Sequence, residues 1–158
     1  MAVQISRSKP PVAAEEVLRA ENTIGESLPE DYKRFLLEHN GGRPVPAGFP
    51  IRWNKPELAR GAEFGMVGDF YAIYEGKPVN LLEGFRSHGT RIPKGAIAIA
   101  RDPGGNLILL GLSGEHRGKV FFWLHDMDPE YDETAFENLG VIANSFDEFL
   151  QSLLEIPR

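Results

Sequence analysis

The sequence contains no cysteine in its 158 residues. That absence excludes disulfides, zinc ribbons, iron–sulfur clusters and thiol nucleophiles, and it suits a reducing compartment. Long apolar runs are also missing. No stretch approaches the roughly 18 consecutive apolar residues needed to cross a bilayer, so no membrane association is expected. The opening residues MAVQISRSKP hold no apolar core of signal-peptide length, which makes the cytoplasm the expected location. Histidine is scarce. His39, His88, His116 and His125 show none of the H-x-H, H-x-x-x-H or H-E-x-x-H spacings of a zinc site, and no metal or other cofactor is expected. Basic residues nowhere gather into a cluster of the kind that tracks phosphates, so nucleic acid is not an expected partner.

The remaining composition is that of a folded chain: 42% hydrophobic, 10% aromatic and 25% charged. Pro10-Pro11 and a lack of periodicity mark residues 1–12 as a flexible arm, with one domain over residues 13–158. The net charge of −6 is unevenly placed. Residues 1–125 carry 16 basic and 14 acidic side chains, whereas residues 126–158 carry nine acids and one base, Arg158. The densest part is Asp126-Met127-Asp128-Pro129-Glu130-Tyr131-Asp132-Glu133, with five carboxylates in eight positions. An uncompensated block of one sign speeds encounter with a surface of the other, so a cationic protein is the matching partner. A solvated, exposed loop accounts for the same composition without a partner.

Helical signals lie at both ends. The stretch Ala13 to Thr23 reads as a helix stopped by Gly25. Ser27-Leu28-Pro29-Glu30 has capping-box spacing, and Tyr32, Phe35, Leu36 and His39 recur on one helical face before Asn40-Gly41-Gly42 ends it. Ser145-Phe146-Asp147-Glu148 is a second capping box, followed by Phe149, Leu150, Leu153 and Leu154 at helical spacing. Between them most of the glycines fall among short apolar runs. Ile51–Trp53 and Glu63–Phe70 read as strands, Pro78–Phe85 as a short helix, and Ala96–Ala100, Leu107–Leu112 and Lys119–His125 as three further strands. Asp102-Pro103-Gly104-Gly105-Asn106 is turn chemistry at each position, so the last three strands are antiparallel. The class is α+β, a mostly antiparallel sheet with N-terminal and C-terminal helices packed against it.

Catalytic motifs are approached but not completed. Gly111-Leu112-Ser113-Gly114-Glu115 lacks the final glycine of a nucleophile elbow, and a hairpin follows it instead of a helix. Gly114 to Val120 lacks the Ser/Thr of a phosphate loop. Asp126, Asp128, Glu130 and Asp132 alternate as calcium ligands would, but Tyr131 or Glu133 stands where an EF-hand turns on glycine.

Taken in order, Ile24-Gly25, the segment Leu28-Pro29-Glu30-Asp31-Tyr32-Lys33-Arg34-Phe35-Leu36, His39-Asn40-Gly41-Gly42, Ile92-Pro93, Asp102 to Asn106 and Gly118 to Asp126 resemble the SUKH superfamily. That group includes fungal Smi–Knr cell-wall regulators and many bacterial immunity proteins. The likeness spans about residues 14–154 and implies an α+β domain without a catalytic centre that binds another protein. Two roles follow from it: an immunity protein that sequesters a bacterial toxin domain, expected to be a nuclease, or a cellular scaffold with no toxin. A nuclease presents Lys and Arg to its substrate, and the acidic block is the surface expected to cover them. The contact residues on this reading are Asp126, Asp128, Glu130, Asp132 and Glu133, with Met127 and Tyr131 as apolar anchors between them.

Overall fold

Two tight turns force three consecutive strands, Ala96–Arg101, Leu107–Gly111 and Val120–Trp123, to run antiparallel, and the rest of the chain is assembled around them. The computed structural model describes residues 3–88, 91–125 and 136–155. The strands are β1 (Gln4–Ser6), β2 (Arg43–Val45), β3 (Gly48–Pro50), β4 (Arg52–Trp53), β5 (Phe64–Met66), β6 (Asp69–Phe70), β7 (Ala96–Arg101), β8 (Leu107–Gly111), β9 (Val120–Trp123) and β10 (Gly140–Ala143). The helices are α1 (Ala14–Ile24), α2 (Glu30–Glu38), α3 (Leu81–His88) and α4 (Phe146–Ser152). The main sheet runs β4-β10-β9-β8-β7-β6, and β1-β2 and β3-β5 form two small ribbons. Each pairing in them is antiparallel, and with the four helices this is the α+β class expected from the sequence.

Register explains the core. Leu107 lies opposite Trp123, Ile108 opposite Phe122 and Leu109 opposite Phe121. Side chains alternate across a strand, so Phe122 faces one side while Phe121 and Trp123 face the other. On the Phe122 side the amphipathic helices deliver aromatics. Phe49 meets Phe122 at 6.0 Å and Phe149 at 5.6 Å, while Phe35 meets Phe70 at 4.8 Å and Phe146 at 5.0 Å. These tilted and edge-on contacts are the arrangement that ring quadrupoles favour. Tyr32, from the same helical face as Phe35, is fully enclosed. Its hydroxyl has no hydrogen-bond partner among the described residues, and burial holds the phenol well above the ordinary tyrosine range.

Several expectations change in detail. The box Ser27–Glu30 does not cap α2. Pro29 stands at the N-cap, and Ser27 accepts bonds from Arg117 at 2.8 Å on its carbonyl and 3.2 Å on its hydroxyl. Ser145 does act as a cap, accepting from the Glu148 N–H at 3.0 Å. The run Glu63–Phe70 is divided between two sheets, because β5 pairs with β3 and β6 with β7. The helix read over Pro78–Phe85 is displaced to Leu81–His88, with Asn80 accepting from the Glu83 N–H at 3.0 Å where it begins. Within the N-terminal arm, β1 lies against β2 through backbone pairing, which leaves no side-chain periodicity to read.

Asn40-Gly41-Gly42 does more than end a helix. All three residues have positive φ, 51°, 82° and 118°, so the chain leaves α2 through three successive left-handed conformations. A Cβ at Gly42 would stand 2.6 Å from the Ser6 carbonyl, and one at Gly41 would stand 2.8 Å from the Ala72 Cβ. The Asn40 side chain is fully buried. Its amide donates to the Pro10 carbonyl at 2.8 Å and to the Ile73 carbonyl at 2.9 Å, and its oxygen accepts from the Ile73 N–H at 2.9 Å.

Asn40→Asp replaces a donor facing two carbonyls by an anion. It should cost about 3–5 kcal/mol, read as a lower urea midpoint at unchanged slope. Asn40→Gly keeps the left-handed turn and should lose only the hydrogen-bond part.

His88 supplies a pH dependence. Desolvation, assisted by the nearby Arg91 charge, holds its pKa below the ordinary 6.5, and its buried Nδ1 has no partner among the described residues. The unfolded chain therefore binds the proton more readily. The contribution of this group to stability is complete above pH 6.5 and declines as the pH falls from there towards the lower folded-state pKa. His88→Asn should flatten that part of a stability–pH profile measured by chemical denaturation.

Candidate partner-binding surface

The residues expected to make partner contact, Asp126, Met127, Asp128, Glu130, Tyr131, Asp132 and Glu133, lie outside the described residues. The structure does show how the chain is held on either side of them.

The first attachment is the turn between β7 and β8. Asp102 Oδ1 accepts from the backbone N–H groups of Gly104 at 2.9 Å and Asn106 at 2.8 Å, and its Oδ2 accepts from Asn106 Nδ2 at 2.8 Å. Aspartate folds a turn in this way by standing in for backbone acceptors. Asn106, so oriented, uses its oxygen to accept from the His125 N–H at 3.1 Å. The turn therefore fixes the residue immediately before Asp126.

The second attachment is a ring stack. Phe136 lies flat on His116, with centroids 4.1 Å apart and planes at 19°, and meets Phe121 at 5.1 Å. Two residues on, buried Asn138 accepts from Lys55 Nζ at 2.8 Å, and the same ammonium lies 3.8 Å from Glu137. His125 is thus held to the β7–β8 turn, and Phe136 to Phe121 of β9. Beside the stack is an open cavity of about 510 Å³ whose lining includes Arg52, Lys119, His116 and Glu137. The acids of the C-terminal part within the described residues include paired ones: Asp147 lies 3.2 Å from Arg34, and Glu137 is held by Lys55.

A further contact ties this region to the first helices. The Asp147 N–H, in the first turn of α4, donates to Asp31 Oδ2 at 3.0 Å. Asp31 thus complements the N-terminus of a helix 116 positions away, where a carboxylate is favoured by the free N–H groups and the helix dipole. Sequence reasoning gave Asp31 only a place in the α2 first turn, and no local spacing could have shown the pairing. The His116–Phe136 stack was likewise invisible, whereas Asp102 and Asn106 were recognised as turn residues without their reach to His125.

The near-miss catalytic stretches take the shapes expected of them. Gly114–His116 is a single tight turn, and the chain enters β9 after it, not a helix. Among the described residues no three His, Asp or Glu side chains come together as metal ligands would. Among them, too, no helix is long and apolar enough to cross a membrane.

A sequence profile of the SMI1 / KNR4 family (SUKH-1) matches residues 11–152. The chain belongs to this family. A relative in Bacillus subtilis (strain 168), the SPbeta prophage-derived uncharacterized protein YokK, is 29% identical over 154 residues, covering 90% of this chain and 75% of that one. Within this SUKH-1 chain, the Asn40-Gly41-Gly42 and Asp102–Asn106 segments that carry the likeness act on the framework. One turns the chain out of α2, and the other holds His125, the residue before the acidic segment.

Asn106→Ala should unfasten His125 and leave Asp102 short of a donor, at a cost of about 1–2 kcal/mol in a denaturant titration. Hydrogen exchange at the His125 amide should rise by more than the global loss of stability explains.

Proposed function

We propose that this SUKH-1 chain is a non-enzymatic immunity protein that acts in the cytoplasm and neutralises a toxin domain by binding its cationic surface. The carrying observation is the excess of carboxylates at Asp126, Asp128, Glu130, Asp132 and Glu133, on a segment preceded by His125, held by Asn106, and followed by Phe136, packed on Phe121 of β9. A nuclease is the fitting target, because its substrate-binding surface must be basic. Fastened ends lower the ordering cost of binding, and like-signed carboxylates steer a basic partner into contact. Met127 and Tyr131 are placed in sequence to supply apolar contact between the charges.

The test begins with capture of the partner from the native host with this chain as bait, followed by co-expression with the captured protein and association kinetics. The wild type should protect the host cell. Asp128→Asn, Glu130→Gln and Asp132→Asn together should slow association about tenfold or more at low salt and flatten its salt dependence. An unchanged association rate would remove the acidic contact from this reading. A housekeeping protein as the sole specific partner would replace the toxin with a cellular scaffold role.

A further inference from the structure

The exposed large apolar side chains include a group around one strand edge. In β5 the order of burial is reversed from the usual: Phe64 is 53% exposed and Met66 45% exposed, while the glycine between them faces inward. Gly65 is required there, because a Cβ would stand 2.5 Å from the Phe49 ring. Phe49 thus fills the inner side of the ribbon, and the bulk of β5 is turned to solvent. The same face continues across β3, where Gly48 lies between Met66 and Leu154, which is 37% exposed.

The backbone of β5 is open on that side too. Ile51 N–H donates to the Glu63 carbonyl at 2.8 Å, and Val67 N–H donates to the Ala47 carbonyl at 2.9 Å. In an antiparallel ladder bonded and non-bonded pairs alternate, so Gly65 is bonded to Phe49, and the N–H and C=O groups of Phe64 and Met66 point away from β3. Among the described residues nothing bonds to them. Natural edges are guarded by charge, proline or a covering element; β5 itself carries two apolar side chains and neither charge nor proline, and among the described residues no strand pairs with its outer edge. The exposed carboxylate at its end, Glu63, makes no ion pair among the described residues.

We propose that the outer edge of β5 receives an extended strand of a partner protein, with apolar side chains at alternate positions beside Phe64 and Met66 and a basic residue beside Glu63. Unpaired N–H and C=O groups give the added strand its hydrogen bonds, the two exposed side chains select its alternating pattern, and the carboxylate selects its charge. A second copy of this chain is a poorer occupant, because Glu63-Phe64-Gly65-Met66-Val67 paired with itself brings no basic residue to Glu63. The inference rests on the protein-binding reading of the chain and is independent of the acidic segment.

The probe is the blocked peptide Lys-Val-Thr-Val-Thr-Val-Lys, followed by amide hydrogen exchange on the intact protein. In the free protein the Phe64 and Met66 amides should exchange rapidly, with Gly65 and Val67 slow. Millimolar peptide should slow Phe64 and Met66. A peptide N-methylated along one edge, and one flanked by Glu in place of Lys, should each bind at least about tenfold more weakly. The double variant Phe64→Ser, Met66→Ser alters only exposed positions and should lose the protection. Absence of protection, or equal protection by the N-methylated peptide, overturns the proposal. Protection that grows with protein concentration alone, with a dimer in sedimentation, assigns the edge to a second copy and overturns it as well. Neutralising Asp128, Glu130 and Asp132 should leave peptide binding unchanged, so the two readings fail separately.

Discussion

A buried primary amide must find partners for its donors and its acceptor, and Asn40 finds them in two separate stretches of chain. Its three hydrogen bonds join residue 10, ahead of α1, to residue 73, beyond β6. Where the side chain sits, the backbone is in the left-handed region, which Asn tolerates better than most residues. The two glycines that follow let β1 and β6 approach within distances no Cβ would allow. The position of α2 over the sheet therefore depends on an amide that is neither apolar nor exposed. An unpaired partner in a dry site costs far more than a single surface bond contributes, so the demand for satisfaction fixes the geometry.

The aromatic layer follows from that placement. Tyr32 and Phe35 leave α2 on one face and meet Phe146 of α4, while Phe149 of the same helix meets Phe49, and Phe49 and Phe122 complete the layer from the strands. The opposite face of β9 carries Trp123, with the Arg91 guanidinium 5.0 Å from its ring, and Phe121 beneath the Phe136–His116 stack. The first face assembles helices and the second secures the chain on either side of the acidic segment. β9 is the element common to both.

What could be read in advance was local or periodic. The three central strands, the Gly25 stop of α1, the Ser145 cap and the apolar faces of α2 and α4 each declare themselves within a few residues. Interactions between distant positions did not. Ser27 looks like a cap but is taken by Arg117, and Asp31 looks like a first-turn acid but serves α4. β10 lies within a segment of mixed polarity, and only its neighbours show why Gly140 is there: a Cβ would stand 2.3 Å from Ile51 Cγ2. The acidic stretch was legible as charge. The fastening of His125 to Asn106 before it, and the stacking of Phe136 on His116 after it, required the tertiary structure. The open edge of β5 was hidden because Phe-Gly-Met alternates with the glycine inward, the reverse of the pattern sought in a half-buried strand.

The Asp31–Asp147 bond also sets an order of events during synthesis. On the ribosome, α2 emerges more than a hundred residues before the helix whose free N–H it must receive. Gly48 likewise waits for Leu154 before its own backbone is paired. Until α4 has left the exit tunnel, the Phe35 and Phe70 rings lack their Phe146 neighbour and present an oily surface. Closure therefore waits for α4, and a chain cut short before residue 145 leaves the Phe35 and Phe70 rings without that cover.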